Sequence, residues 1–172
     1  MRKTALAVLI VLVCAAFGSG QDVQIKDQKA FFYTYLECTG SYNQISAKIG
    51  EFLEAYFGQG LGPFSGLMAL YFNSPGEVPE ADLKWRIGMS IGKETEPAAP
   101  LRKDVFDFPK VAKYLHVGPY DKVGEAYSKI MAYLDQNGWK AAGPAMETYL
   151  NNPMEVAPEK LETEIILPVE KK

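Results

Sequence analysis

The residues best placed to do chemistry lie in one stretch, Gly143 to Val169, GPAMETYLNNPMEVAPEKLETEIILPV. It reads as a strand, a Pro-rich turn and a second strand. Glu147 and Tyr149 stand two apart in the first of these strands, and side chains at i and i+2 share a face. A carboxylate beside an aromatic ring on a sheet can seat a cationic or polar small molecule. The same pair is also what a solvated strand surface looks like. Glu164, in TEI of the last strand, offers a second acid or a rim salt bridge. Its face is the one opposite Ile165 and Leu167.

Aromatic residues supply candidate walls. The chain has ten Tyr, nine Phe and two Trp among its 172 residues. Tyr71 and Trp85 lie on strand-like runs, where they serve either as pocket walls or as core. Tyr114 shares a strand face with His116, which is the one histidine in the chain. A lone histidine is more often structural than catalytic. No Cys/His cluster or acidic loop has metal-ligand spacing. No Gly-rich phosphate loop, serine elbow or Cys/His nucleophile pair is present either. No metal or cofactor is expected.

The elements that must position these residues follow from periodicity. Ala30 to Thr39, AFFYTYLECT, is rich in β-preferring residues and predicts a strand. Apolar residues at Ile45, Ile49, Phe52, Leu53 and Tyr56 predict an amphipathic helix from near Ser41 to near Gly58. Gly66 to Asn73 and Leu83 to Ile91 read as strands, the second with clean alternation. Glu94 to Pro100, ETEPAAP, is a stiff connector. The order then repeats. Lys110 to Val117 is a strand, and a helix carries Val123, Tyr127, Ile130, Met131 and Leu134 as far as Asn137-Gly138. The opening strand–turn–strand stretch completes the series. Residues 21–29 read as a loose polar lead-in.

A shift of 78 residues superposes the two series without a gap. Gly40 meets Gly118, Tyr42 meets Tyr120, Gly60 meets Gly138, Tyr71 meets Tyr149, and Asn73 meets Asn151. This predicts an α+β fold built from duplicated β-α-β-β units, repeat one at about 30–92, a connector at 93–109 and repeat two at about 110–170. Each helix must bury its apolar stripe on a sheet face. The expected architecture is a curved antiparallel sheet of eight strands with both helices on one face and a pseudo-twofold axis between the halves. The opposite face would be free to form a groove. Ala69 sits opposite Glu147 in the repeat, so only the second half supplies the carboxylate.

The motifs HVGPYDKVGEAY at 116–127, ETYLNNP at 147–153, PEKLETEIILPV at 158–169 and LKWRIGMSI at 83–91 carry a resemblance. In their order and spacing the chain resembles the GyrI-like small-molecule-binding domain, the effector-binding domain of AraC-type and MerR-type regulators. The resemblance implies binding of amphipathic, often cationic, molecules between the halves, with the acidic pocket residue falling on Glu147. It also implies two other roles found in such proteins: hydrolysis of reactive toxins by an acidic residue, and inhibition of a protein partner.

Residues 1–20 read as a secretory signal peptide. Arg2 and Lys3 precede the apolar run Ala5 to Val13, and small residues follow up to Gly20. Val13 stands where lipidation of Cys14 would need a small residue, so cleavage near Gly20 without a lipid anchor is the expectation. Cleavage leaves 16 basic residues against 21 acidic ones, a net charge of −5. That balance argues against nucleic acid and anionic membrane surfaces, and the apolar run is too short for a mature span. The expected protein is an exported module that captures amphipathic, cationic or aromatic ligands. Its site would comprise Glu147, Tyr149, Tyr71, Trp85, Tyr114 and Glu164. A hydrolase using a pocket Glu and a protein-interaction module are the alternatives.

Overall fold

The computed structural model describes residues 22–64 and 66–172, so the signal-peptide reading lies outside the described residues. Nine strands and two α-helices follow in the order β1 (Gln24–Asp27), β2 (Phe31–Thr39), α1 (Ile45–Gly58), β3 (Leu67–Tyr71), β4 (Lys84–Ile91), β5 (Arg102–Phe106), β6 (Lys110–Val117), α2 (Val123–Gln136), β7 (Trp139–Ala141), β8 (Ala145–Tyr149) and β9 (Glu162–Lys171). All pairings are antiparallel, in the spatial order β1-β6-β9-β8-β3-β4-β2-β5, with β7 beside β9. The fold is α+β, and the sheet is not closed.

Eight of these strands form the main path; two β-α-β-β units supply six of them, and β1 and β5 are the other two. The lead-in 21–29 contains β1, and the segment after the proline connector contains β5. Both are short and polar, so their sequences carry little strand signal. They form because a neighbour supplies a ladder. β1 pairs with β6 of the second unit, with Gln24 opposite Lys113. β5 pairs with β2 of the first unit, with Arg102 opposite Tyr35. The 78-residue shift carries one register into the other. Each unit is thus four strands and a helix, and its first strand is lent to the other unit.

The pseudo-twofold axis passes between β3 and β8. There Ala69 pairs with Glu147, and these are the two positions that the repeat superposes. Other shared residues keep shared jobs. Gly60 and Gly138 follow the two helices with φ of 61° and 70°, a left-handed conformation that costs glycine least. The Asn73 side chain accepts from Lys84 N at 2.9 Å and donates to the Asp82 carbonyl at 3.1 Å. Asn151 repeats the clamp on Glu162 N and the Lys160 carbonyl at 3.0 and 2.8 Å.

Both helices pack on one face. α1 buries Phe52 and Tyr56 against Ala69, Trp85, Ile87 and Met89. α2 buries Val123, Ala126, Ile130 and Leu134 against Ala112, Tyr114, Ile165 and Leu167. Full burial of such side chains contributes about 1.5–3 kcal/mol each. The opposite face is not the open groove that the sequence suggested. It carries its own apolar row, Tyr33, Tyr35, Met68, Leu70, Phe106, Val111, Met146 and Ile166, from strands at both ends of the sheet. The sheet rolls until these residues bury one another. Gly88 permits the close approach, because a Cβ there would lie 2.5 Å from the Thr34 carbonyl oxygen.

Candidate functional site

The cavity opens on the helix side instead. It is a groove of about 1300 Å³ between α1 and α2, floored by β3 and β8 and rimmed by the loops after those strands. That is above the usual range of about 300–1,000 Å³ for a small-molecule pocket. Ile45, Ile49, Leu53 and Leu67 form its first-half wall. Its acidic groups are Glu77, Asp121 and Glu147, and no Lys, Arg or His belongs to the lining among the described residues.

Glu147 occupies the floor, on the axis, and is only 8% exposed. Three phenols converge on it. Tyr127, on α2, donates to Oε1 at 3.0 Å. Tyr71 and Tyr149 each lie 3.4 Å from Oε2 and 3.2 Å from one another. Two further tyrosines enclose this cluster edge-on. Tyr42 meets Tyr71 with ring centroids 4.9 Å apart, and Tyr120 meets Tyr149 at 5.6 Å. These contacts are the same pair of positions in the two halves.

Among the described residues no ion pair involves Glu147. Burial pushes its pKa above the ordinary carboxylate value of 4.5. The bonds from Tyr127, Tyr71 and Tyr149, and the field of His116, oppose that rise without cancelling it. The phenols respond in the same direction. Burial first, then neighbouring groups including the Glu147 charge, hold Tyr71, Tyr127 and Tyr149 far above the usual phenol range. All three keep their protons at any physiological pH. The result is a buried carboxyl enclosed by aromatic rings with no counter-ion among the described residues, and in its ionised form it is suited to a soft cation.

The other expected site residues lie elsewhere. Trp85 is 1% exposed and sits beneath the groove, with Nε1 donating to the Gly40 carbonyl at 3.0 Å. Its ring stands edge-on to Tyr42 at 6.0 Å, so it backs the cage rather than lining it. Tyr114 is buried under α2, where its hydroxyl accepts from Lys129 Nζ at 3.2 Å. With His116, Lys122 and Glu125 it borders a separate hollow of about 290 Å³. Glu164 faces the other side of the sheet. It pairs with Thr148 in register while Ile165 pairs with Glu147, and its carboxylate meets Lys113 at 3.4 Å.

Tyr127, Tyr42 and Tyr120 were not singled out in the sequence, although a signal was present for each. Tyr42 and Tyr120 are identities in the repeat. Tyr127 falls opposite Ile49, the same kind of mismatch as Glu147 opposite Ala69.

This geometry belongs with a known class. The sequence matches the description GyrI-like small molecule binding domain over residues 21–170, and the chain is a member of that family. No curated protein matches it. Among solved structures, an uncharacterized conserved protein from Listeria innocua superposes with a TM-score of 0.70 at 11% identity, over 88% of this chain and 93% of that one. The EcmrR chain in a complex with DNA gives a TM-score of 0.77 at 18% identity, over 88% of this chain and 58% of that one. SAV2435 bound to tetraphenylphosphonium gives 0.57 at 17% identity, over 87% and 94%. At these identities the likeness is one of fold. Among the described residues no helix is long and apolar enough to cross a membrane.

Proposed function

We propose that the protein is an exported binding module that captures amphipathic cationic molecules in the groove between its halves. The observation that carries this is the unpaired Glu147 carboxylate, buried on the axis and wrapped by Tyr71, Tyr127 and Tyr149. A cation entering the groove supplies the missing counter-charge, and each ring it covers adds about 0.5–2 kcal/mol. The apolar wall along α1 takes the hydrophobic part of the ligand. Membership of a small-molecule-binding family supports the reading, as does the tetraphenylphosphonium bound by SAV2435.

Calorimetry with tetraphenylphosphonium and its charge-reversed counterpart tetraphenylborate tests it. The phosphonium binds, the borate does not, and Glu147→Gln weakens the phosphonium at least tenfold. Equal binding of both ions, or no effect of the substitution, overturns the reading. Export is tested by fractionation and intact mass. The expected species is an envelope or secreted chain beginning near Gln21. A full-length cytosolic chain is the contrary result.

A further inference from the structure

The smaller hollow, about 290 Å³, lies between the end of β6 and the first two turns of α2. α2 turns Val123, Tyr127 and Met131 toward the groove. It turns Glu125, Ala126 and Lys129, with Lys122 just ahead of them, toward the hollow. Spacings of three and four put these residues on one face. The groove is lined by acids, whereas the hollow sets two lysines against the single acid Glu125.

The duplication supplies an internal control. The 78-residue shift sets Tyr114, His116, Lys122, Glu125 and Lys129 opposite Leu36, Cys38, Gln44, Ala47 and Glu51. At these positions the first half is apolar on its strand and acidic on its helix, with Glu51 closed onto Lys48 at 2.8 Å. The second half differs at every one of the five, and at Lys129 the charge is reversed.

Two of the five are built into the interior. Tyr114 is 4% exposed and His116 8%. Lys129 Nζ lies 3.2 Å from the Tyr114 hydroxyl. An ammonium group only donates, so the phenol oxygen accepts, and the phenol's own proton stays unspent among the described residues. His116 Nε2 lies 3.1 Å from the Pro119 carbonyl oxygen. A carbonyl only accepts, so a ring N–H makes that bond and fixes the imidazole at the hollow's wall. Lys129 spends one of its three ammonium hydrogens on Tyr114. Lys122 meets Glu125 at 3.7 Å, a loose pair with both side chains more than half exposed. The hydrogens left over are thus a buried phenol O–H and the N–H groups of two ammonium ions. Bonds from charged donors to an oxyanion are about twice as strong as neutral ones. The volume falls just under the usual range of about 300–1,000 Å³ and suits a ligand of few heavy atoms.

We propose that this hollow is a second binding site, separate from the groove, that takes a small oxyanion, phosphate or carboxylate, on the Tyr114 hydroxyl and the ammonium groups of Lys129 and Lys122. It stands independently of the cation reading of the groove.

His116 is the one histidine in the chain, so its ring resonances report on the hollow alone. The test follows them by NMR while sodium phosphate or sodium acetate is added to the full protein at pH 7, with ionic strength held constant by sodium chloride. A saturable shift in the millimolar range or below is expected from at least one of the two. The one that saturates first identifies the acid group of the ligand. A shift that never saturates, or that chloride reproduces, means that the lysines merely screen charge, and it overturns the proposal. Tyr114→Phe keeps the ring, removes the phenol proton and should weaken binding at least threefold. Lys129→Met should weaken it at least fivefold, and because Lys129 is exposed this variant carries the test should Tyr114→Phe fail to fold by circular dichroism. Glu125→Gln removes the hollow's acid and should tighten binding at least twofold, a gain that damaged packing would not produce. Unchanged affinity in the folded variants, or weaker binding by Glu125→Gln, overturns the assignment to these residues.

Discussion

The two halves of the molecule are near copies in scaffold and opposites in chemistry. The first lays Ile45, Ile49 and Leu53 along its side of the groove and places Ala69 on the axis. At the matched positions the second sets Tyr127 for Ile49 and Glu147 for Ala69, with Asp121 where the first has Asn43. Both keep the outer tyrosine pairs, Tyr42 on Tyr71 and Tyr120 on Tyr149. Duplication made a symmetric container, and two coupled substitutions gave it a polarity. The Tyr127 phenol donates to the Glu147 carboxylate, and the tyrosines that the halves share, Tyr71 and Tyr149, lie against its other oxygen.

If the halves are equivalent as scaffold, matched core truncations should cost alike. Phe52 and Ile130 occupy the same repeat position, and both are 0% exposed. Phe52→Ala should cost about 3–5 kcal/mol and Ile130→Ala about 2–5 kcal/mol in urea unfolding. A cost below about 1 kcal/mol for either would break the equivalence.

The chemical difference can be probed by moving the acid. Glu147→Ala with Ala69→Glu puts a carboxylate across the axis, facing Ile49 instead of Tyr127. Tetraphenylphosphonium affinity should stay at least tenfold below wild type, about 1.4 kcal/mol. Adding Ile49→Tyr should recover part of it. Full recovery without that tyrosine would mean that the charge alone matters.

Glu147→Gln should stabilise the free protein by about 1 kcal/mol near neutral pH while weakening the proposed phosphonium binding. The sign follows from the raised folded value. The stability tied to this group is present below the ordinary carboxylate value of 4.5 and is lost as pH climbs through the higher folded one. The gap between variant and wild type should therefore open as pH rises from the acid side, and wild-type cation affinity should rise over the same window. A gap that closes toward neutral pH contradicts a buried, strained charge.

The smallest effect is expected at Glu164. It faces away from the groove and is partly exposed beside Lys113. Glu164→Gln should change stability by about 0.5 kcal/mol or less and leave binding untouched. A loss of binding there would contradict its placement on the face away from the groove.

Much of this was legible before any coordinates. Apolar spacing placed both helices, and the repeat placed the halves about an axis. Strand parity put Glu147, Tyr149 and Tyr71 on one face. Parity also put Glu164 on the wrong face for the groove, a conclusion available from Ile165 alone. What escaped has physical causes. β1 and β5 have polar sequences whose order comes from a ladder contributed by distant chain. Trp85 lies on the correct face but under the turn that carries Tyr42, and alternation does not report depth. The groove was assigned to the free face because nothing local reveals that Tyr33, Phe106 and Val111, from three strands, bury one another there. Tyr127 looked like one more apolar helix position until Glu147 lay 3.0 Å from its hydroxyl.

The loan of β1 and β5 between the units bears on how a guest arrives. Clamshell opening about the axis would part the central β3–β8 seam, while the three-residue links 28–30 and 107–109, which join β1 to β2 and β5 to β6, would still tie the lobes together. The two lobes are cross-laced and cannot gape as separate jaws. Access then falls to the smaller parts at the mouth, the turns that follow Asn73 and Asn151. Amide exchange should find those turns opening often and the lacing strands scarcely at all.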